Sequence, residues 1–121
     1  MLLQWSRPDE AAGVFVYDQS GMERYYHFDG LGDAHQIGWD GANFVLVSTS
    51  TNSVVWFGRS GDKTAEWKAP GDGDCWHVNG IFITDEEVYL SAFGRFTEHR
   101  AGLAARKMAA GSYSASILAR T

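Results

Sequence analysis

The stretch "HQIGWDGANFVLVSTSTNSVVWFGRSGDKTAEWKAP", residues 35–70, decides how this chain folds. It breaks into four runs, HQIGW, NFVLVSTS, SVVWFGRS and KTAEWKAP, divided by turn residues and lacking helical spacing. Asp40-Gly41 and Ser60-Gly61 supply the positive φ that tight hairpins need. FVLV and VVWF are unbroken apolar runs, which imply strands covered on both faces. The reading is one sheet of four antiparallel strands with a further sheet against each side.

The same pattern recurs on either side. "VFVYDQSGMERYYHFDG" (14–30) matches "VVWFGRSGDKTAEWKAPG" (54–71), with Ser20-Gly21 and Ser60-Gly61 40 residues apart. "DAHQIGWDGANFVLVSTS" (33–50) matches "CWHVNGIFITDEEVYLSAFG" (75–94), with His35 and His77 42 residues apart. A period near forty without helical patterning marks four-stranded propeller blades. The expected fold is all-β: a partial β-propeller of about eight antiparallel strands. Residues 1–12 read as a lead-in, 13–30 as an outer half-blade, 33–70 as a full blade and 75–94 as an inner half-blade. Residues 95–121 form a basic Ala/Ser-rich tail, with a weak helix at 101–110 and a short strand at SASIL.

Length and charge narrow the function. A chain of 121 residues is one domain or part of one. Hydrophobic residues make up 45% and charged residues 21%, as in an ordinary globular protein. The net charge of −5 is uneven. Residues 95–121 hold Arg95, Arg100, Arg106, Lys107 and Arg120 against Glu98 alone, whereas the first 94 hold five basic and fourteen acidic groups. Such a body repels nucleic acid, whose binding depends on neutralising phosphates. The start, MLLQWSRPDE, has neither a basic n-region nor a long apolar run, so no membrane partner is expected and the cytoplasm is the default compartment. Cys75 is the only cysteine, which excludes an internal disulfide framework.

Few residues carry chemistry. His35 and His77 are expected at similar places, just before or within inner strands, bonding a turn or a neighbouring blade. Should inner-strand ends converge on a channel, Asp33, His35, His77 and Asn79 would line a ligand site. Asp33, His35, Asp74 and His77 are weak metal candidates, and Cys75-x-His77 is weak as a zinc motif because no second Cys/His pair stands at ligand spacing. No cofactor is expected, a divalent cation being the alternative. Cys75 reads as an inert buried thiol. Trp39, Trp56, Trp67 and Trp76 read as blade packing and Asp85-Glu86-Glu87 as a solvated hairpin tip. The sequence has no GxSxG, P-loop or GxGxxG motif.

DAHQIGWDGANFVLVSTSTNSVVWF and DCWHVNGIFITDEEVYLSAFGRFTEHR resemble a bacterial family of conserved hypothetical proteins, a domain of unknown function with a β-propeller-like fold. That family has an Asp-x-His strand opening and a later tryptophan, matched by Asp33, His35 and Trp39. Its Cys-His-Leu-Asn-Gly segment corresponds to Cys75, His77, Asn79 and Gly80, and its TALG-like strand end to Ser91–Gly94. This chain inserts Trp76 and has Val78 where the family favours leucine. The resemblance covers about residues 30–100. It implies a fold, no established reaction, and a chain shorter than a full member.

Past FTEHR the strand signal fades. Shifting the frame of residues 100–118 by two nucleotides permits codons for a further turn and strand of family type, so a frameshift would account for the tail. Two blades cannot close a ring, and self-association through exposed blade faces is expected. The function expected is a propeller-type binding or structural module, its small-molecule or protein ligand unknown, without catalysis as this fragment. The alternative is a piece of a metal-dependent propeller hydrolase, lactonase-like or sugar-acting.

Overall fold

A computed structural model describes residues 2–6, 11–95 and 114–119. Every regular element among them is a strand: β1 (Leu2–Ser6), β2 (Ala11–Asp18), β3 (Gly21–Asp29), β4 (Ala34–Trp39), β5 (Asn43–Ser48), β6 (Ser53–Gly58), β7 (Lys63–Lys68), β8 (Val78–Ile83), β9 (Glu87–Ala92) and β10 (Ser114–Ala119). They form three antiparallel sheets, ordered β1-β2-β3, β4-β5-β6-β7 and β8-β9-β10. The eight expected strands are β2–β9. β1 falls in the stretch read as a lead-in, and β2 begins at Ala11, before the expected boundary at 13. β10 is the SASIL strand and pairs with β9, Ser114 opposite Ala92. The helix expected at 101–110 lies outside the described residues. No helix of the described residues is long and apolar enough to cross a membrane.

Local chemistry explains the hairpins. Asp40 Oδ1 accepts from the amides of Ala42 and Asn43 at 2.9 and 2.8 Å, and Gly41 takes φ 100°, a region closed to most side chains. Asp18 does the same work before Gly21, accepting from Ser20 N and Ser20 Oγ. Those bonds favour the ionised carboxylate and hold Asp18 below its ordinary range.

The central sheet, β4 to β7, shows why FVLV and VVWF are continuous. Side chains alternate across a strand, so each run feeds two cores. Val45, Val47, Val54 and Trp56 face the third sheet, joining Val78, Ile81, Val88 and Leu90. Phe44, Leu46, Val55 and Phe57 face the first sheet, joining Ala12, Val14, Tyr26 and Phe28. The rings of Phe28 and Phe57 stack at 4.1 Å. β4 runs beside both β1 and β8. The approach to β8 depends on Gly38, where an added Cβ would fall 2.5 Å from Ile83 Cδ1. Gln36 Oε1 also accepts from Ile81 N at 2.8 Å, tying the two strands.

Leu46 is wholly buried, whereas Phe82 is 68% exposed. Leu46→Ala should lower unfolding free energy by about 2–5 kcal/mol, and Phe82→Ala by less than about 0.5 kcal/mol. Urea denaturation followed by tryptophan fluorescence measures both.

Candidate functional site

The site begins with a turn that is polar yet buried. Between β5 and β6 the chain reads STSTNS, and Ser48, Thr49, Asn52 and Ser53 have no exposed surface. Buried polar groups are tolerated only when hydrogen-bonded, and here the partners lie in two neighbouring loops. Toward the loop before β4, Gly32 N donates to Ser48 Oγ at 2.9 Å, Ser50 N to Gly32 O and Thr49 N to Asp33 O. Toward the loop before β8, Thr49 Oγ1 donates to Val78 O at 2.6 Å. Asn52 reaches further into that loop. Its Nδ2 donates to Ala69 O and to Cys75 Sγ, and its Oδ1 accepts from Trp76 N at 3.1 Å.

Asn52 takes φ 59°, the left-handed region that asparagine tolerates better than most residues. Asp33 and His77, both at φ 50°, take it too. Each immediately precedes an inner strand, β4 or β8. Each strand then carries a register shift, between Ala34 and Ile37 and between Val78 and Gly80. Ala34 lies opposite Ser48, and Val78 opposite Ala92. The structural repeat is therefore 44 residues, with Asp33 matched to His77 and His35 to Asn79. The sequence spacing pairs His35 with His77; the bulges and φ values correct that pairing by two residues. Bulges re-aim side chains, and here they bring the four residues together.

The geometry of the cluster is specific. His35 Nδ1 is 2.8 Å from Asn79 Oδ1, and His35 Nε2 is 3.1 Å from Asp33 Oδ2. Both neighbours as oriented are acceptors. A neutral imidazole has one N–H, so it satisfies both only when the Asn79 amide turns its Nδ2 toward Nδ1. His77 Nδ1 lies 2.9 and 3.0 Å from the two oxygens of Asp74. That bond fixes the tautomer with the proton on Nδ1 and leaves the Nε2 lone pair bare. The His77 side chain is 12% exposed and its Asp74 partner 4%. Its ring stacks on Phe93 at 4.7 Å and 2° and meets His35 edge-on at 5.4 Å. The site thus offers one buried acceptor nitrogen beside one half-exposed carboxylate–imidazole pair.

Asp33, His35, His77 and Asn79, the residues expected to line a ligand site, are brought together. As a cation site the group fits poorly, because both His35 nitrogens and His77 Nδ1 are already engaged. Among the described residues no three His, Cys, Asp or Glu side chains are grouped as a metal ion requires. Cys75 is buried, with its S–H donating to Pro70 O at 3.3 Å. Burial pushes its thiol above the ordinary range, so it is a structural contact and a poor nucleophile at neutral pH. Trp56 and Trp76 are buried, and Trp67 packs edge-on against Trp76. Trp39 packs on Phe44 but also borders a cleft. Sequence reasoning passed over Asn52, Thr49 and Phe93. STSTNS reads as a plain turn, and its burial becomes visible only once both flanking loops fold over it.

No protein-family model matches this chain, and neither a curated protein nor a solved structure matches it.

Removing the Asn52 side chain takes the acceptor from the Trp76 amide and a donor from Ala69 O and Cys75 Sγ. Asn52→Ala should cost about 2–4 kcal/mol, and Asn52→Gly about 1 kcal/mol less, because glycine accepts the left-handed backbone. Thermal denaturation of both variants gives the order; a glycine variant weaker than the alanine one contradicts it. The thiol adds a pH dependence. The unfolded chain loses the Cys75 proton near the ordinary value of 9.0, and the folded chain at higher pH. Its contribution to stability is therefore full below that value and falls as pH rises through it. The difference in melting temperature between wild type and Cys75→Ala should shrink from pH 8 to pH 10.

Proposed function

We propose that this chain is part of a propeller-type module that binds or scaffolds, without turnover of its own. The support is architectural. Three antiparallel meanders stack face to face, and the register repeats every 44 residues between the second and the third. The resemblance of about residues 30–100 to the propeller-like family of unknown function points the same way. The observation that carries the reading is the 2.8 Å contact between His35 and Asn79. It joins β4 to β8 at matched positions, so the cluster acts first as a bolt between sheets. His77 Nε2 and Asp33 Oδ1 are the atoms left to meet a polar ligand.

The outer faces extend the reading to self-association. On the first sheet Phe15 and Tyr25 pack on each other at 4.7 Å, with Tyr25 and Met22 exposed. On the third sheet Phe82 is exposed beside Tyr89. Inside the chain the opposite faces of these sheets are buried against the central one. A second copy stacked sheet on sheet would continue the series, an unlike-face contact that forms open chains unless a ring closes. A lone buried thiol suits a reducing cytoplasm.

A double-mutant cycle of His35→Ala and Asn79→Ala should give a coupling of about 0.5–1.5 kcal/mol, and additive losses would remove the bolt. Thermal shift with calcium, magnesium and zinc distinguishes this reading from a metal-dependent hydrolase. No shift is expected; a rise of several degrees at about 1 mM cation would favour the hydrolase. In sedimentation velocity the protein should associate with rising concentration, and Phe82→Ser should weaken that association.

A further inference from the structure

At the opposite end of the central sheet from His35, a cleft of about 300 Å³ opens between the first two sheets. We propose that this cleft binds a small aryl carboxylate. Val16, Tyr26, Phe44 and Trp39 give it an apolar lining. Tyr26 and Phe44 are buried and 4.8 Å apart, and Trp39 meets Phe44 edge-on at 4.9 Å. One tilted and one edge-to-face aromatic pair thus line a slot suited to a ring, and packed aromatic side chains lose little freedom when such a slot is filled.

Two cations stand at the mouth. The Arg24 guanidinium lies 4.6 Å from the Tyr26 ring centroid, and that of Arg59 5.5 Å from the Trp39 centroid. Cation–π contact holds each in place without neutralising it. Among the described residues neither arginine has a carboxylate partner. Glu23 is, among the described residues, the one acidic residue lining the cleft, against two arginines. Two guanidinia offer donors in the fork geometry that a carboxylate accepts, above a slot for its apolar body. The site draws nothing from the histidine cluster and stands whether or not that cluster binds anything.

Phenylacetate, its neutral amide phenylacetamide, and acetate separate the two halves of the site. By calorimetry or ligand-observed NMR, phenylacetate should bind saturably with a dissociation constant below about 5 mM, and the amide about tenfold more weakly. Acetate, which lacks the ring, should show no saturation in that range. Arg24→Gln and Arg59→Gln should each weaken phenylacetate about fivefold to tenfold, and Glu23→Gln should tighten it. All three side chains are exposed, so melting temperatures should hold and report intact folding. Equal affinity for acid and amide, or indifference to both arginine substitutions, overturns the proposal. So does failure of phenylacetate to saturate.

Discussion

The structure depends on burying a polar turn. STSTNS, between β5 and β6, would be costly to exclude from water if its hydroxyls and amide lacked partners. Its partners outside the turn are backbone groups of two loops, one before β4 and one before β8, and the Cys75 sulfur. Satisfying the turn therefore fixes both loops. Asn52 alone holds Ala69, Cys75 and Trp76, and Thr49 holds Val78. Asp33 and His77 persist in left-handed backbone because their surroundings are determined this way. Such strain is worth about 1–3 kcal/mol per residue and survives only in an over-determined setting.

From that knot the central sheet takes its place between two others. Its two faces are chemically distinct. The face toward the first sheet is aromatic, with Phe28 on Phe57 and Tyr26 on Phe44. The face toward the third is mainly aliphatic, around Val45, Val47, Val54, Val78 and Val88, with Trp56 and Trp76 at its margin. Trp56 Nε1 is buried there without an acceptor among the described residues. An unmade bond of that kind costs about 1–3 kcal/mol, accepted here for the apolar area that the indole covers.

Much of the sheet pattern was legible in the residues. Val, Phe and Trp runs bounded by Asp-Gly and Ser-Gly have few alternatives, and β2–β9 fall where those runs stand. The lead-in hid β1, because its apolar run is short and broken at Gln4. The candidate site was only half legible. Asp33, His35, His77 and Asn79 stand out by type, and they do meet. Their pairing does not follow from spacing, because a bulge changes register without leaving a mark in composition. The role of Asn52 was hidden for a related reason: asparagine in a turn looks the same whether it faces solvent or core. The cleft was hidden because Arg24 and Arg59 are distant in sequence and line one cleft only when the first sheet packs on the central one.

His35 and Asn79 hold one position in two copies of a unit, yet they bond as unlike partners. Tandem units with identical sequences would set imidazole against imidazole or amide against amide there. The imidazole at 35 also reaches the Asp33 carboxylate, whereas the residue matched to Asp33 beside Asn79 is His77, so the two positions are not interchangeable and the joint has a fixed polarity.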